Sequence, residues 1–259
     1  MSPAAGNPCA VAVIPARYAS VRFPGKALAE AEGKPLIRYV WERACQLTSV
    51  TEVLVATDDE RIERAVRAFG GAVAMTGSDL ASGTDRVAQA MRGRKAEVVV
   101  NLQGDEPVFD VKAVDELVRL MLAEPQIQLG TLAHPMVDEA EFGDLNKTKV
   151  VLDLTGHALY FSRAPIPFRR QPGFAGPLRH IGIYVFRTPF LERFAGLAPT
   201  PLERTETLEQ LRALEHGVRI RVVVTPDPTL GVDTPADLVQ FAEHLRRERS
   251  RVELGREGT

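Results

Sequence analysis

The chain has 259 residues, 45% of them hydrophobic and 25% charged, with a formal net charge of -2; that is apolar chain enough for one large α/β domain with an insertion, or for two small domains, and the near-neutral charge argues against a nucleic-acid partner, whose phosphates would select a basic surface. Two distant cysteines, Cys9 and Cys45, give neither a disulfide framework nor a cysteine-rich metal site. No apolar stretch approaches the ~18 residues of a membrane span, and the opening MSPAAGNP lacks the basic and apolar regions of a secretory signal, so a reduced, soluble, cytoplasmic protein without membrane insertion is expected.

Residues 11–14 bring Val11, Val13 and Ile14, β-branched side chains that suit a strand packed on both faces. The strand empties into a loop that reaches residue 26 and carries Arg17, Arg22 and Lys26, with Pro15 and Pro24 expected to stop regular structure at its two ends. Ligands of open α/β sheets sit outside the carboxyl ends of the strands, so three cations are aimed at the binding crevice. Ser20 stands where a Walker loop needs its first glycine and Ala27 follows Gly25-Lys26, which excludes that loop; a G-x-G-x-x-G fingerprint is missing too, which disfavours a nicotinamide enzyme. The three cations then read either as a solvated basic turn or as a triphosphate cradle assisted by backbone N–H groups.

Residues 35–47 place Leu36, Val40, Arg43, Ala44 and Leu47 at helical spacing behind Gly33. Residues 52–56 read as the second strand, Thr57-Asp58-Asp59-Glu60 as a capping box for a helix through Phe69, and residues 72–75 as the third strand. Strand, helix, strand in this order gives right-handed parallel crossovers and hence a doubly wound α/β sheet. The loop over residues 76–86 runs into a helix over 87–91; Ser82 is either its cap, with Asp85 three residues on, or a nucleotide contact, and Gly83 lets backbone approach a flat base.

The strand at 97–102 is the most uniformly apolar, and it ends in Gln103-Gly104-Asp105-Glu106-Pro107. A carboxylate at a central strand exit facing the cation loop makes Asp105 a candidate Mg²⁺ ligand, the other reading being the cap of a helix over 111–123, while Glu106 reads as structural. From Gln128 the pattern changes. A strand at 129–132, an acidic irregular run at 138–145, a hairpin of 149–153 with 157–161 around Leu154-Thr155-Gly156, and a loop with Pro165, Pro167, Pro172 and Pro177 make residues 131–180 an excursion that can cover the crevice, bind the second substrate and pair with another subunit. Arg163 at its neck either holds a substrate carboxylate or is an ordinary surface arginine. Residues 180–186 return to the sheet with His180 and Tyr184 on one side, and a helix over 202–216 sets Glu206, Glu209 and Gln210 on adjacent turns. A last strand spans 219–224; Asp233 then either caps the helix that begins near Pro235 and runs through Leu245 or closes the metal site, and the charged tail from 246 is expected to fray. One domain over 9–245 with flexible ends is expected.

VIPARYASVRFPGK, SGTDR, NLQGDEP, KVVLD with ALYFSRAPIP, RHIGIY, LEQLRAL and GVDTPADL, in this order, resemble the 3-deoxy-manno-octulosonate (KDO) cytidylyltransferases, enzymes of lipopolysaccharide synthesis. The likeness runs from Val11 to about Leu245 in seven separated blocks. It implies a nucleotide-diphospho-sugar transferase fold, Rossmann-like and mostly parallel with an inserted hairpin subdomain, a homodimer, and Mg²⁺-dependent conversion of CTP and KDO to CMP-KDO and diphosphate. It implies that Arg17, Lys26, Asp105 and Asp233 are catalytic, with Asp105 and Asp233 on the metal. Ala16, Arg17, Ser20, Lys26, Ser82, Gly83 and Asp105 would meet the nucleotide; Arg22, Gln103, Arg163, His180, Tyr184, Glu209 and Gln210 would meet the sugar. Gly77 and Leu80 depart from the basic or polar residue and the histidine that family members often carry there. The competing expectations are a cytidylyltransferase for another acidic sugar, amino-substituted or sialic-acid-like, and a non-catalytic nucleotide-binding regulator.

Overall fold

A computed structural model describes residues 10–20, 22–171 and 177–257; Cys9, and Pro172 of the proline-rich loop, lie outside these. In chain order the elements are β1 (Ala10–Ala16), β2 (Glu30–Ala31), β3 (Lys34–Pro35), α1 (Leu36–Ala44), β4 (Glu52–Thr57), α2 (Glu60–Ala68), β5 (Ala72–Met75), α3 (Gly83–Ala90), β6 (Val98–Asn101) and α4 (Val111–Ala123). There follow β7 (Leu129–Pro135), α5 (Glu139–Gly143), β8 (Lys149–Leu152), β9 (Ala158–Ser162), β10 (Leu178–Arg187), α6 (Thr188–Ala195), α7 (Pro201–Glu206), α8 (Gln210–Glu215), β11 (Ile220–Val224) and α9 (Pro235–Glu257).

The main sheet is ordered β11-β7-β10-β6-β1-β4-β5, with β8 hydrogen-bonded to β10 and β9 to β8. All neighbours along this path are parallel except those of β10, which runs antiparallel to both β6 and β7. From β1 the chain winds outward through β4 and β5, then returns to lay β6 on the other side of β1. The switch point is therefore the gap between the carboxyl ends of β1 and β6, where a ligand crevice belongs.

Strand alternation divides the core into two. Ala10, Ala12 and Ile14 of β1 pack with Ile37 and Val40 of α1, Val66 of α2 and Leu117 of α4, while Val11 and Val13 pack with Val87 of α3, Phe190 and Phe194 of α6, and Leu211 of α8. A third, smaller cluster of Ala31, Leu36, Val232 and Phe241 seats α9 on the β2–β3 hairpin. That seat matters for function because it brings the segment before α9 back to the start of the chain.

Several local expectations change. Pro15 does not end β1. It pairs with Ala56 of β4, and its missing N–H costs nothing because the β6 partnership of β1 ends at Val13. α2 is capped by Asp59, whose side chain accepts from the Arg61 N–H, and not by Thr57, which is the last residue of β4. Asp110, not Asp105, caps α4, and the Thr234 hydroxyl with Asp237, not Asp233, caps α9. Both candidate carboxylates are thereby left free for chemistry. The acidic run contains α5, capped by Asp138. Residues 131–135 and 178–180, counted in the excursion, are strand residues of the main sheet. The expected helix over 202–216 is two, α7 and α8, broken at Thr207 in the left-handed conformation (φ 55°). The charged stretch expected to fray from 246 instead continues α9 to Glu257.

Candidate active site

A cavity of about 250 Å³ opens at the switch point, lined by Ala16, Arg17, Ser20, Arg22, Lys26, Ser82, Gly83, Gln103, Asp105 and Asp233, together with Arg86, Leu80 and Gly104. Ten predicted residues, from stretches up to 217 positions apart in the chain (Ala16 to Asp233), thus share one wall. The first strand delivers Arg17 at its exit. Lys26 follows Gly25, which takes φ 71° and lies against the Tyr18 ring, 3.1 Å from where a Cβ would sit, so the turn that aims the ammonium inward requires glycine. Arg61, held by Asp59, stacks over the other part of this scaffold, 3.3 Å from the Tyr18 ring centre.

The two carboxylates are brought together through backbone. The Val232 N–H donates to the Asp105 carbonyl at 2.8 Å, and Val108 and Leu230 form a short antiparallel bridge beside it. The Lys26 ammonium lies 2.5 Å from Asp105 Oδ2 and 3.2 Å from Asp233 Oδ1, and Arg22 reaches Asp233 Oδ1 at 2.9 Å. One positive charge therefore sits between two carboxylates that can be no further apart than two hydrogen bonds. Arg17 has no hydrogen-bond or ion-pair partner among the described residues, which leaves its guanidinium available to an anion. Gly104 is needed at the strand exit for close approach: a Cβ there would lie 2.8 Å from the Pro15 carbonyl oxygen.

The remaining five predicted sugar residues do not line this cavity. Four of them form a polar cluster behind it, joined to β6 and α3. Tyr184, opposite Asn101 in the β10–β6 register, donates its hydroxyl to Gln210 Oε1 at 3.0 Å. Burial and the charges of Glu209 and Glu106 raise its pKa well above the ordinary value. His180 packs between Phe161 and Tyr184, with Nε2 3.0 Å from Thr131 Oγ1. Removal from water, helped by the nearby Arg179 charge, lowers its pKa to about 3. Glu209 accepts from the Thr84 hydroxyl at 2.6 Å, and desolvation raises its pKa against the pull of the Thr84 and Ser82 hydroxyls. Asn101 Oδ1, Glu106 Oε2, Glu209 Oε1 and Gln210 Nε2 are buried without hydrogen-bond partners. Buried polar atoms of this kind are costly unless a ligand completes them. Arg163 stands apart: it donates to the carbonyls of Glu206, Leu145 and Thr207, which staples the α7–α8 break to the excursion.

The cytidylyltransferase family pattern matches residues 11–220. The 3-deoxy-manno-octulosonate cytidylyltransferase of Syntrophotalea carbinolica is 51% identical over 244 residues, covering 91% of this chain and 98% of its own. That of Geobacter sulfurreducens is 49% identical over 246 residues, covering 91% and 98%. The chain belongs to the 3-deoxy-manno-octulosonate cytidylyltransferase family. A solved structure of a CMP:2-keto-3-deoxy-manno-octonic acid synthetase complexed with CTP has the same fold, with a TM-score of 0.88 at 44% identity and coverage of 92% of this chain and 99% of that one.

Two features of this cytidylyltransferase escaped the reading of its sequence. Arg86 lines the cavity although nearly buried, held by Asp58 at 3.1 Å and by Thr76 and Gly77. Its signal was position: on α3, four residues after the Ser82 cap, it must face the same end of the helix. Glu106 is the other. Its carboxyl is desolvated and crowded by Asp105 and Asp233, which raises its pKa to about 7. Sequence offered only a second acid next to Asp105, with no sign that the irregular part of β10 at Gly182, where its register to β7 shifts, would close over it; a Cβ on Gly182 would lie 3.4 Å from Glu106 Oε1. For a metal, the donor set is Asp105 and Asp233, with no third His, Cys, Asp or Glu joining them among the described residues. Two carboxylates around a cationic centre fit Mg²⁺, which completes its shell with phosphate oxygens and waters.

Proposed function

We propose that this chain transfers CMP from CTP to the anomeric hydroxyl of KDO, giving CMP-KDO and diphosphate for lipopolysaccharide synthesis. The observation that carries this reading is the convergence of Arg17, Arg22, Lys26 and Arg86 with Asp105 and Asp233 on one cavity, in a chain that matches named KDO cytidylyltransferases almost end to end. Nucleotidyl transfer needs positioning and neutralisation of a highly charged phosphate chain, not a covalent protein nucleophile. Arg17 and Lys26 bind the triphosphate and stabilise the charge that develops on diphosphate as it leaves. The anomeric oxygen bonds to the α-phosphorus while the bond to the departing diphosphate breaks.

Asp105 and Asp233 would hold Mg²⁺, which when bound polarises the α-phosphate toward attack. On binding, phosphate oxygens replace the carboxylates as partners of Lys26, and the sugar's carboxylate replaces Asp233 as partner of Arg22, freeing both acids. Ala16, Ser20, Ser82 and Gly83 meet the nucleotide at the rim. Gln103 stands between the cavity and the cluster behind it, a placement suited to meeting both substrates, and His180, Tyr184, Glu209 and Gln210 offer a sugar acid the donors and acceptors its hydroxyls require. Arg22 supplies positive charge for its carboxylate, while Arg163, committed to the carbonyls of Glu206, Leu145 and Thr207, holds the segment beside the sugar cluster. The protein acts as a cytoplasmic homodimer, with the excursion over residues 136–171 covering the sugar and contributing to the subunit interface. Among the described residues no helix is long and apolar enough to cross a membrane.

The test is diphosphate release from CTP with Mg²⁺ and a panel of acidic sugars. Turnover is expected with KDO. Silence with KDO and turnover with an amino-substituted octulosonate or a nine-carbon acid would replace the acceptor, and CTP binding without turnover on any acid would favour a regulator.

A further inference from the structure

We infer that Thr84 is a positioning residue for the sugar acid, fixing the Glu209 carboxylate so that its second oxygen is presented to a substrate hydroxyl. The inference deepens the reading above and rests on Glu209 meeting the acceptor. Thr84 is 3% exposed on the first turn of α3, one residue beyond Gly83 and two beyond Ser82, which line the nucleotide cavity. Its hydroxyl has one proton, and the short 2.6 Å contact assigns that proton to Glu209 Oε2. The hydroxyl oxygen must then accept, and the fully buried Asn101 amide supplies the donor at 3.2 Å. This order of donors fixes the Asn101 amide: Nδ2 faces Thr84, and Oδ1 is left as an unpartnered acceptor.

The chain Asn101 to Thr84 to Glu209 thus runs in one direction and ends on a carboxylate with one oxygen held and the other, Oε1, without a hydrogen bond, the Ser82 hydroxyl lying near enough to favour the charged form but making no hydrogen bond to Oε1. The nearest cation, Arg212, lies 3.7 Å from Oε1 and is committed to Glu203 at 2.5 Å. A core that only needed Glu209 buried would satisfy both oxygens or neutralise them; holding one and leaving one open is the arrangement for a ligand O–H. Since Thr84 shares its helix turn with the cavity wall, the same backbone that shapes the nucleotide site sets the distance to the sugar site.

The test is steady-state kinetics of the full-length protein with CTP and KDO, comparing Thr84→Val, which keeps the shape and removes the hydroxyl, with Thr84→Ser. Thr84→Val should raise KM for the sugar about tenfold, the scale of a lost hydrogen bond to a charged group, and leave KM for CTP within about twofold. Thr84→Ser should restore the wild-type value to within about threefold. In a Glu209→Gln background the same Thr84→Val change should cost less than about twofold, because the two residues act as one unit. A sugar KM unmoved by Thr84→Val, or an equal cost in both backgrounds, overturns the inference. Thr84→Ala repeats the comparison if Thr84→Val does not fold. If the wild-type enzyme takes another acidic sugar, the acceptor assigned above is wrong, and the same ratio measured with that sugar still decides on Thr84. A crystal structure of Thr84→Val with the Glu209 carboxylate unmoved overturns the inference without reference to turnover.

Discussion

His180 shows how much a single side chain's surroundings decide. Thr131 Oγ1 has carbonyls to donate to at 2.7 Å (Ile183) and 3.1 Å (Ile181), so toward His180 it accepts, and Nε2 carries the ring's proton. With a pKa near 3 the imidazole is neutral at pH 7 and serves as a fixed donor and aromatic wall, not as a charge. The sign of its effect on stability follows. The unfolded histidine takes a proton as pH falls through about 6.5 and the folded one does not until about 3, so its contribution is present above pH 6.5 and is lost progressively below it. His180→Gln should therefore lose less stability than the wild type between pH 7 and pH 5, as read by urea unfolding at the two values. Equal losses would mean that the ring is charged in the native protein.

At the scale of elements, the site depends on how closely the exits of β1 and β6 approach. Gly104→Ala would bring a Cβ to 2.8 Å of the Pro15 carbonyl, backbone against side chain, so neither strand end can simply rotate away. The Asp105 turn should be displaced, with stability falling by about 1–3 kcal/mol from overpacking and kcat/KM for CTP falling by about a hundredfold from misplacement of the acid. Thermal unfolding and initial rates measure the two; wild-type kcat/KM in the folded variant would show that the close approach serves packing alone. The same elements show what sequence could disclose. β1, β4, β6 and the Ser82–Asp85 capping box were legible because β-branched runs and cap residues state their own geometry. The α7–α8 break was not, since Thr207 adopts a left-handed turn without glycine and is held by Arg163, 44 residues away. The β2–β3 hairpin hid for a related reason: Glu32 takes φ 48° ahead of Gly33, a turn that alternation over two-residue strands cannot announce. Asp105 and Asp233 were legible as acids at strand and helix ends; that Asp110 and Thr234 would take the capping work emerged only in three dimensions. Arg86 and Glu106 were hidden because their importance lies in burial against distant segments, which periodicity does not record.

Across the whole molecule, the site is a closed electrostatic circuit: Lys26 and Arg22 spend their charge on Asp105 and Asp233. Triphosphate and divalent cation each compete with one half of that circuit, so each makes room for the other, and their binding should be coupled beyond the metal's affinity for free CTP. Ligand that binds only the folded chain stabilises it by about 2.7 kcal/mol at a hundred times Kd, which is several degrees in Tm for a chain of this size. CTP with Mg²⁺ should thus raise Tm by about 5 °C or more, and CTP with EDTA by much less. Asp233→Asn removes a competitor for Lys26 and Arg22 as well as a proposed metal donor; CTP alone should then stabilise this variant at least as well as the wild type, while the increment from Mg²⁺ disappears. Asp105→Asn should lose the increment too. Equal shifts with Mg²⁺ and EDTA in the wild type, or an undiminished Mg²⁺ increment in both variants, would separate these carboxylates from the metal and leave them as counter-ions of the phosphate-binding cations.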